Sequence, residues 1–397
     1  MNPFLLSILL ATLVYAANPS KLVIAYVTDW SAFSVTSIDF NLVTNVHFAF
    51  ANLAKNGTVL VPESLTPSFI NTAHTRGAKV SLAVGGWGLT PFSDVFSTST
   101  GRNNTIKSLK QVVTSYGLDG IEIDWEWPGN ANGANGTVFR KEDTTNYLVF
   151  LKGLRASLGS KSLISVCVGI TPFVGMSLVE LAAVVDFVMV MAYDINGQWN
   201  SISGPNAPLQ VDSSRKNPGS VADAILTWQL AGFPSNKIVL GLAFYGRGTF
   251  VTESMANNAA TNETAFVRKS VTQQASATYT YLQILKFLND TTASFVSKYD
   301  SYTQTPWLFN KATMQYISYD NALSITVKSQ FAGCLGLRGV AAWDISLDGG
   351  QAGGSAPTFC HPRNPQSWAT LISWFKASSD HRKNRSLDNR DLVGLNR

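Results

Sequence analysis

The stretch GLDGIEIDWEWPG, residues 117–129, sets Glu122, Asp124 and Glu126 at every second position, between Ile121, Ile123 and Trp125. Side chains alternate across a strand, so a strand here carries three acids on one face, successive ones roughly 6–7 Å apart, and apolar groups on the other. Two settings give that pattern. On an edge strand the acids face water. On a strand buried on both faces they point into an interior, where like charges raise at least one pKa and force the carboxyls to share protons.

The surrounding sequence decides between the two. Runs rich in β-branched residues recur at KLVIAYV (21–27), NVHFAF (45–50), KVSLAV (79–84), GIEIDW (120–125), LISVCVG (163–169), DFVMVMAY (186–193), IVLGLAF (238–244) and GVAAW (339–343). Between them TIKSLKQVVTSYG, EDTTNYLVFLKGLRASLG, SVADAILTWQLAG and NALSITVKSQFAGCLG carry apolar residues at helical spacing and end at Gly, a helix stop signal. This rhythm predicts an α/β fold, a (β/α)8 TIM barrel over 17–376, with a doubly wound sheet as the alternative. Residues 248–316, between the seventh and eighth strands, are too long for one helix. With SATYTYLQILKFLND at their centre they are expected to form a small α+β insertion domain.

In a barrel the solvated-edge reading loses ground, and the acid row turns inward if Ile121, Ile123 and Trp125 face the helices. Glu126, last in the row, then lies at the C-terminal mouth, where active sites of this fold form. A Glu raised by neighbours and burial stays protonated near neutral pH and can give its proton to a leaving oxygen. One strand spreads three acids too far to wrap one cation, and no partner cluster accompanies them, so no metal and no cofactor are expected. The histidines, His47, His74, His361 and His381, have no ligand spacing, which disfavours zinc and His-dependent triads.

Composition narrows the partners. Charged residues are 14 %, aromatics 11 % and tryptophans 10, so aromatic platforms for a flat neutral ligand are available. The net charge of +5 is spread without a basic cluster in the main body, which argues against nucleic acid. MNPFLLSILLATLVYA reads as a secretory signal cleaved after Ala16, and no later apolar stretch is long enough for a membrane span. A secreted monomer is expected. Sequons at Asn56, Asn103, Asn135, Asn262, Asn289 and Asn384 agree with a secreted glycoprotein. Of three cysteines, Cys167 lies in an apolar run and is expected in the core, while Cys334 and Cys360 remain a candidate pair. Residues 377–397 are polar, mixed in charge and expected to be a disordered tail.

GLDGIEIDWEWPG resembles the D-x-x-D-x-D-x-E signature of glycoside hydrolase family 18, the chitinases and their relatives. Asp119, Asp124 and Glu126 are in place, and Glu122 stands where the family usually has Asp. AYVTDW (25–30), HFAF (47–50), LAVGGWG (82–88, with Ala83 for the usual Ser), MAYD (191–194), LGLAFYGR (240–247), YISYDN (316–321) and GVAAWDISLD (339–348) resemble further family segments in order. The resemblance implies retaining, substrate-assisted hydrolysis of β-1,4-N-acetylglucosamine polymers, with chitin and chitooligosaccharides as partners. Glu126 would be the general acid and base, Asp124 would steady the acetamido N–H, and Glu122 would hold a proton shared with Asp124. Tyr193 and Asp194 would position the acetamido group. Tyr26, Trp30, Phe50, Gly86, Trp87, Trp127, Met191, Trp199, Tyr245, Arg247 and Trp343 match sugar-binding positions, Trp343 as the floor under the cleaved residue; Trp127 replaces a usual Tyr. Trp125, Trp228, Trp368 and Trp374 are expected in the core. A chitinase-like lectin and an endo-β-N-acetylglucosaminidase acting on N-glycans are the alternatives.

Overall fold

Eight parallel strands pair side by side in the computed structural model: β1 (Leu22–Thr28), β2 (Asn45–Leu53), β3 (Lys79–Gly85), β4 (Gly120–Asp124), β5 (Leu163–Val168), β6 (Phe187–Val190), β7 (Ile238–Ala243) and β8 (Gly339–Trp343). β8 pairs back onto β1 through Leu22–Gly339 to Ala25–Ala342, so the sheet closes and the doubly wound alternative is excluded. The structure describes residues 21–348 apart from 32, 89, 212–218, 256–270, 273–276, 291 and 293. The expected signal 1–16, the tail 377–397, Trp368, Trp374 and the pairing of Cys334 with Cys360 fall on or involve residues outside that set.

The described residues include eight α-helices: α1 (Pro67–Thr75), α2 (Phe92–Phe96), α3 (Ser99–Tyr116), α4 (Asp143–Leu158), α5 (Leu178–Val184), α6 (Val221–Leu230), α7 (Tyr281–Asn289) and α8 (Ala322–Cys334). Local chemistry sets their ends. Thr98, Ser220 and Asn321 cap α3, α6 and α8 by accepting the backbone N–H of Gly101, Asp223 and Ser324. Gly117 stops α3 in the left-handed conformation, φ 69°.

Period-two alternation divides the barrel side chains into two layers. Outward residues such as Val46, Phe48, Ile121, Ile123 and Val166 pack under the helices. Trp125 belongs to this layer, as expected. It stacks on Phe92 at 5.2 Å and meets Phe96 and Tyr147 edge-on, which fixes the end of β4 against α2 and α4. Trp228 is likewise fully buried. The inward layer is narrow: Ala49, Ala83 and Ala341 leave room for Tyr26, Phe187 and Met189. Polar groups join it at His47, Glu122 and Ser165, all buried.

Two strand ends differ from the sequence reading, and both differences serve the mouth. The β6 ladder stops at Val190 instead of continuing to Tyr193, because Met191 N–H still reaches Val168 O but Ala192 N–H turns back to Val190 O at 2.9 Å. The turn carries Tyr193 and Asp194 out over the strand ends. On β2 the pairing with β3 slips between Ala49 and Ala51, and this places Phe50 beside the inward layer with Ala49.

A second, antiparallel sheet orders the strands Val271–Thr272, Tyr245–Val251, Gln315–Ser318, Thr305–Asn310 and Phe295–Asp300, with Thr278–Thr280 also paired to Tyr245–Val251. Its strand Tyr245–Val251 follows β7 after the single residue Phe244, so Tyr245 and Arg247 leave the barrel directly at the mouth. Helix α7, opened by a Thr280–Gln283 capping box, packs Ile284 against Leu308, Ile317 and Tyr319.

Asp320 and Lys328 join the end of this sheet to α8 through a 2.5 Å ion pair whose side chains are 2 % and 1 % exposed. A lone charge left there has neither water nor partner. Asp320→Ala should therefore lower stability by about 3–5 kcal/mol, and a Lys328→Met, Asp320→Leu double change should recover most of the loss. Denaturant unfolding midpoints of the three proteins check this.

Candidate active site

Glu122 lies wholly inside the barrel and its carboxylate is saturated by donors from three strands. Tyr26 Oη on β1 donates to Oε2 at 2.5 Å, His47 Nδ1 on β2 approaches the same oxygen at 3.0 Å, and Ser165 Oγ on β5 donates to Oε1 at 3.0 Å. Burial alone would push the Glu122 pKa up. The adjacent His47 and the hydrogen bonds from His47, Tyr26 and Ser165 outweigh it and hold the group below the ordinary glutamate value. The sequence reading gives Glu122 and Asp124 a shared proton; the hydrogen bonds of Glu122 itself run to β1, β2 and β5.

Asp124 behaves oppositely. Burial, then the charges of Glu126 and Glu122, raise its pKa well above the aspartate range, and its Oδ1 is buried without a hydrogen-bond partner. Glu126, two residues past the end of β4, is half-buried, and burial together with the charge of Asp194 pushes its pKa up to about 8. The row thus runs from a carboxyl whose pKa is held down at the floor to two whose pKa values are raised toward the mouth.

Across the mouth Asp194 holds a positive backbone φ of 55°, secured by its N–H to Asn206 Oδ1 at 2.9 Å. Its carboxylate takes Tyr245 Oη at 2.6 Å, Arg247 Nε at 2.7 Å and a second, very short bond from Arg247 Nη2. The arginine lies over the rings of Trp199 and Tyr245, 5.4 and 5.2 Å from their centroids. Asp194 is therefore occupied as a clamp, and Tyr245, only 3 % exposed, is a partner of that clamp. Tyr193 stands edge-on to Tyr245 at 6.1 Å, with burial, Tyr245, Cys167 and the charges of Asp124 and Glu126 raising its pKa. Its ring fits because Gly241 has no Cβ: one would lie 2.9 Å from Tyr193 Cε1.

Aromatic rings form the rest of the cleft. Trp343 sits among Tyr26, Phe50 and Trp30, at centroid distances of 5.4, 5.4 and 6.5 Å. Trp30, Trp87 and Trp199 are exposed at 64, 62 and 46 %, leaving flat apolar ring faces open to a ligand. Gly86 lets the chain pass the Phe50 ring, which a Cβ would meet at 2.6 Å, and Trp127 lies over Gly169. Met191 is half-buried on the inward layer. Tyr26 departs from its expected place: it is 1 % exposed and bonded to Glu122, so it supports the floor beneath Trp343 instead of meeting a ligand.

Behind the acid row Asp143 accepts Ser93 Oγ at 2.8 Å and the N–H groups of Arg140 and Gly129, tying the loop after β4 to α2. Asp119, first in the motif, sits at the opposite end of β4, where it accepts Val80 N–H and meets His74 at 2.8 Å. Its place is structural.

Sequence reasoning overlooked His47, Ser165 and Asn206, and treated Cys167 as inert packing. Cys167 is a buried free thiol 3.6 Å from Tyr26 Oη, beside the acid row. The signal was there for three of them: His47 alternates with Phe48, as Ser165 and Cys167 alternate with Ile164 and Val166, so period two sets all three inward.

A profile described as "Glycosyl hydrolases family 18" matches residues 22–348. A "chitinase-like effector" of Moniliophthora roreri is 30 % identical over 82 % of this chain and 89 % of its own length. Chitinase A1 of Niallia circulans is 28 % identical over 86 % of this chain, which spans 60 % of that longer protein. A crystallised chitinase of Rhizomucor miehei superposes with a TM-score of 0.76 at 30 % identity, covering 83 % of this chain and 96 % of that one.

The raised acid at the mouth is directly measurable. Carbon-13 NMR titration of ligand-free protein labelled at glutamate Cδ, with Glu126→Gln as the assignment control, should show the Glu126 carboxyl titrating at about 8. Ionisation already complete at pH 6 contradicts the geometry.

Proposed function

The chain belongs to glycosyl hydrolase family 18, and from that premise we propose that it is a secreted chitinase cleaving β-1,4-N-acetylglucosamine linkages with retention, Glu126 being the general acid and base. One observation carries this reading. Glu126 stands at the barrel mouth as a carboxyl whose pKa reaches about 8, so at neutral pH it holds the proton that a departing glycosidic oxygen needs.

The remaining residues suit substrate assistance, the route of this family. As Glu126 protonates the bridging oxygen, the C1–O bond breaks and the substrate's own acetamido oxygen bonds to C1, giving an oxazolinium. Asp124 faces that step with a buried, unpartnered Oδ1 suited to accept the acetamido N–H. It also keeps a proton, which can be donated toward the Glu126 carboxylate formed by the transfer. Tyr193 is placed to donate to the acetamido oxygen, while Asp194 holds Tyr245 and Arg247 and lends the charge that raises Glu126. Glu126 then takes a proton from water as that water opens the ring and restores the β configuration. Trp343, backed by Tyr26 and Phe50, offers a flat face for the C–H side of the sugar undergoing cleavage.

A second reading is a chitin-binding protein without turnover. It is favoured by the 30 % identity to a protein named as a chitinase-like effector. The presence of Glu126 with its raised pKa supports the enzyme. The four described sequon asparagines, Asn56, Asn103, Asn135 and Asn289, are exposed, which suits secretion.

Incubation with labelled chitohexaose separates the readings: product release supports the hydrolase, and binding without products supports the second. Glu126→Gln should lower kcat at least about a thousandfold while leaving oligosaccharide affinity within severalfold. Because the acid acts in its protonated form, kcat/KM should fall tenfold per pH unit above about 8. A profile rising through that range contradicts the assignment.

A further inference from the structure

The floor of the acid row holds a group that the chemistry above does not use. His47 is fully buried, stacked 6.2 Å from Phe187 and edge-on to Tyr26 at 5.2 Å, with Nδ1 on Glu122 and Nε2 without a partner. An ionised carboxylate only accepts, so Nδ1 must be the donor. Three donors, from Tyr26, His47 and Ser165, then converge on two oxygens. Protonating Glu122 would turn one of those buried donors away from its acceptor, at the cost of a lost buried hydrogen bond.

We propose that His47 is a positioning residue: with Tyr26 and Ser165 it locks Glu122 as a fixed carboxylate, so that the proton of the buried acid pair stays on Asp124 and does not pass to Glu122. The inference rests on the hydrolase reading for its kinetic consequence but not for its protonation pattern. The geometry suits Glu at position 122, whose extra methylene carries the carboxyl to donors on β1, β2 and β5. Other inward groups do not compete. Beside Glu122 the titratable neighbours are Tyr26, His47, Asp124 and Cys167, and β3, β7 and β8 present Ala83, Val239 and Ala341. Asp124 in turn faces Glu122, Glu126, Cys167 and Tyr193.

Removing the His47 donor should let Glu122 take up a proton at higher pH than before. The sign follows from the direction of its shift: a carboxyl held below its ordinary value loses that hold and titrates upward. The Glu122–Asp124 pair then accepts a second proton, or shifts its single proton downward, within the working range.

Two measurements test this. The first is the pH profile of kcat and KM for wild type, His47→Leu and His47→Asn, the last retaining an N–H near the position of Nδ1. His47→Leu should move the acid limb of kcat upward by about one pH unit, up to a tenfold loss on that limb, with KM little changed, and His47→Asn should restore most of it. A folded His47→Leu with an unmoved limb, or His47→Asn behaving like His47→Leu, overturns the proposal. The second needs neither turnover nor a His47 variant. Infrared difference spectra of ligand-free protein at pH 6 should lose a protonated-carboxyl band in Asp124→Asn and only an ionised-carboxylate band in Glu122→Gln. A protonated band lost in Glu122→Gln overturns the proposal even if the wild type hydrolyses chitohexaose. If the wild type hydrolyses nothing while the bands are as expected, the hydrolase reading fails and the lock stands.

Discussion

Carboxyl groups set inside a closed barrel cannot all be ionised, because each charge there is stripped of water and repelled by the next. The chain resolves this along one strand. At the floor, Glu122 is stabilised as an anion by hydrogen bonds from three other strands. Burial first, and then the charge of Glu122, disfavour ionisation of Asp124 above it. Glu126 at the mouth is raised in turn by burial and by Asp194 across the opening. The pKa values are thus held down at the floor and raised toward the mouth, and in the proposed reaction the acid nearest solvent is the proton donor.

Closure of the barrel makes this gradient enforceable. The donors to Glu122 come from β1, β2 and β5, which lie on both sides of β4 without being its immediate neighbours in every case, so only a ring brings them to one point. The mouth is completed by chain segments that leave the ladder early. The turn after Val190 presents Tyr193 and Asp194, the register slip on β2 presents Phe50, and the strand that follows β7 delivers Tyr245 and Arg247. Rigid strands end where chemistry begins, a division of labour usual for active sites carried at strand ends.

Much of this was legible in the residues. Eight β-branched runs and Gly-terminated helical segments point to a barrel with a doubly wound sheet as the alternative, which the β8–β1 pairing decides, and the i, i+2, i+4 spacing of the acids gives their common face on a strand. Trp125 was assignable to the helix-facing layer by the same alternation. What the sequence does not carry is partnership across the ring. Tyr26 and Tyr245 match ligand-facing positions, yet their hydroxyls are committed to Glu122 and Asp194 and their rings are buried. Ser165 meets Glu122 as its direct partner on the neighbouring strand β5, whereas Tyr26 and His47, far away in the chain, reach it from β1 and β2 across the curve of the barrel. Proton sharing between Glu122 and Asp124 follows from spacing, but spacing carries nothing of the donors that reach Glu122 from β1, β2 and β5.

The central claim, that this acid row drives retaining cleavage assisted by the substrate's own acetamido group, is tested most directly by the anomeric configuration of the fresh product. Proton NMR recorded during the first minutes of chitooligosaccharide cleavage should show the new reducing end as the β anomer, relaxing later to the equilibrium mixture. A product that first appears as the α anomer would contradict the account.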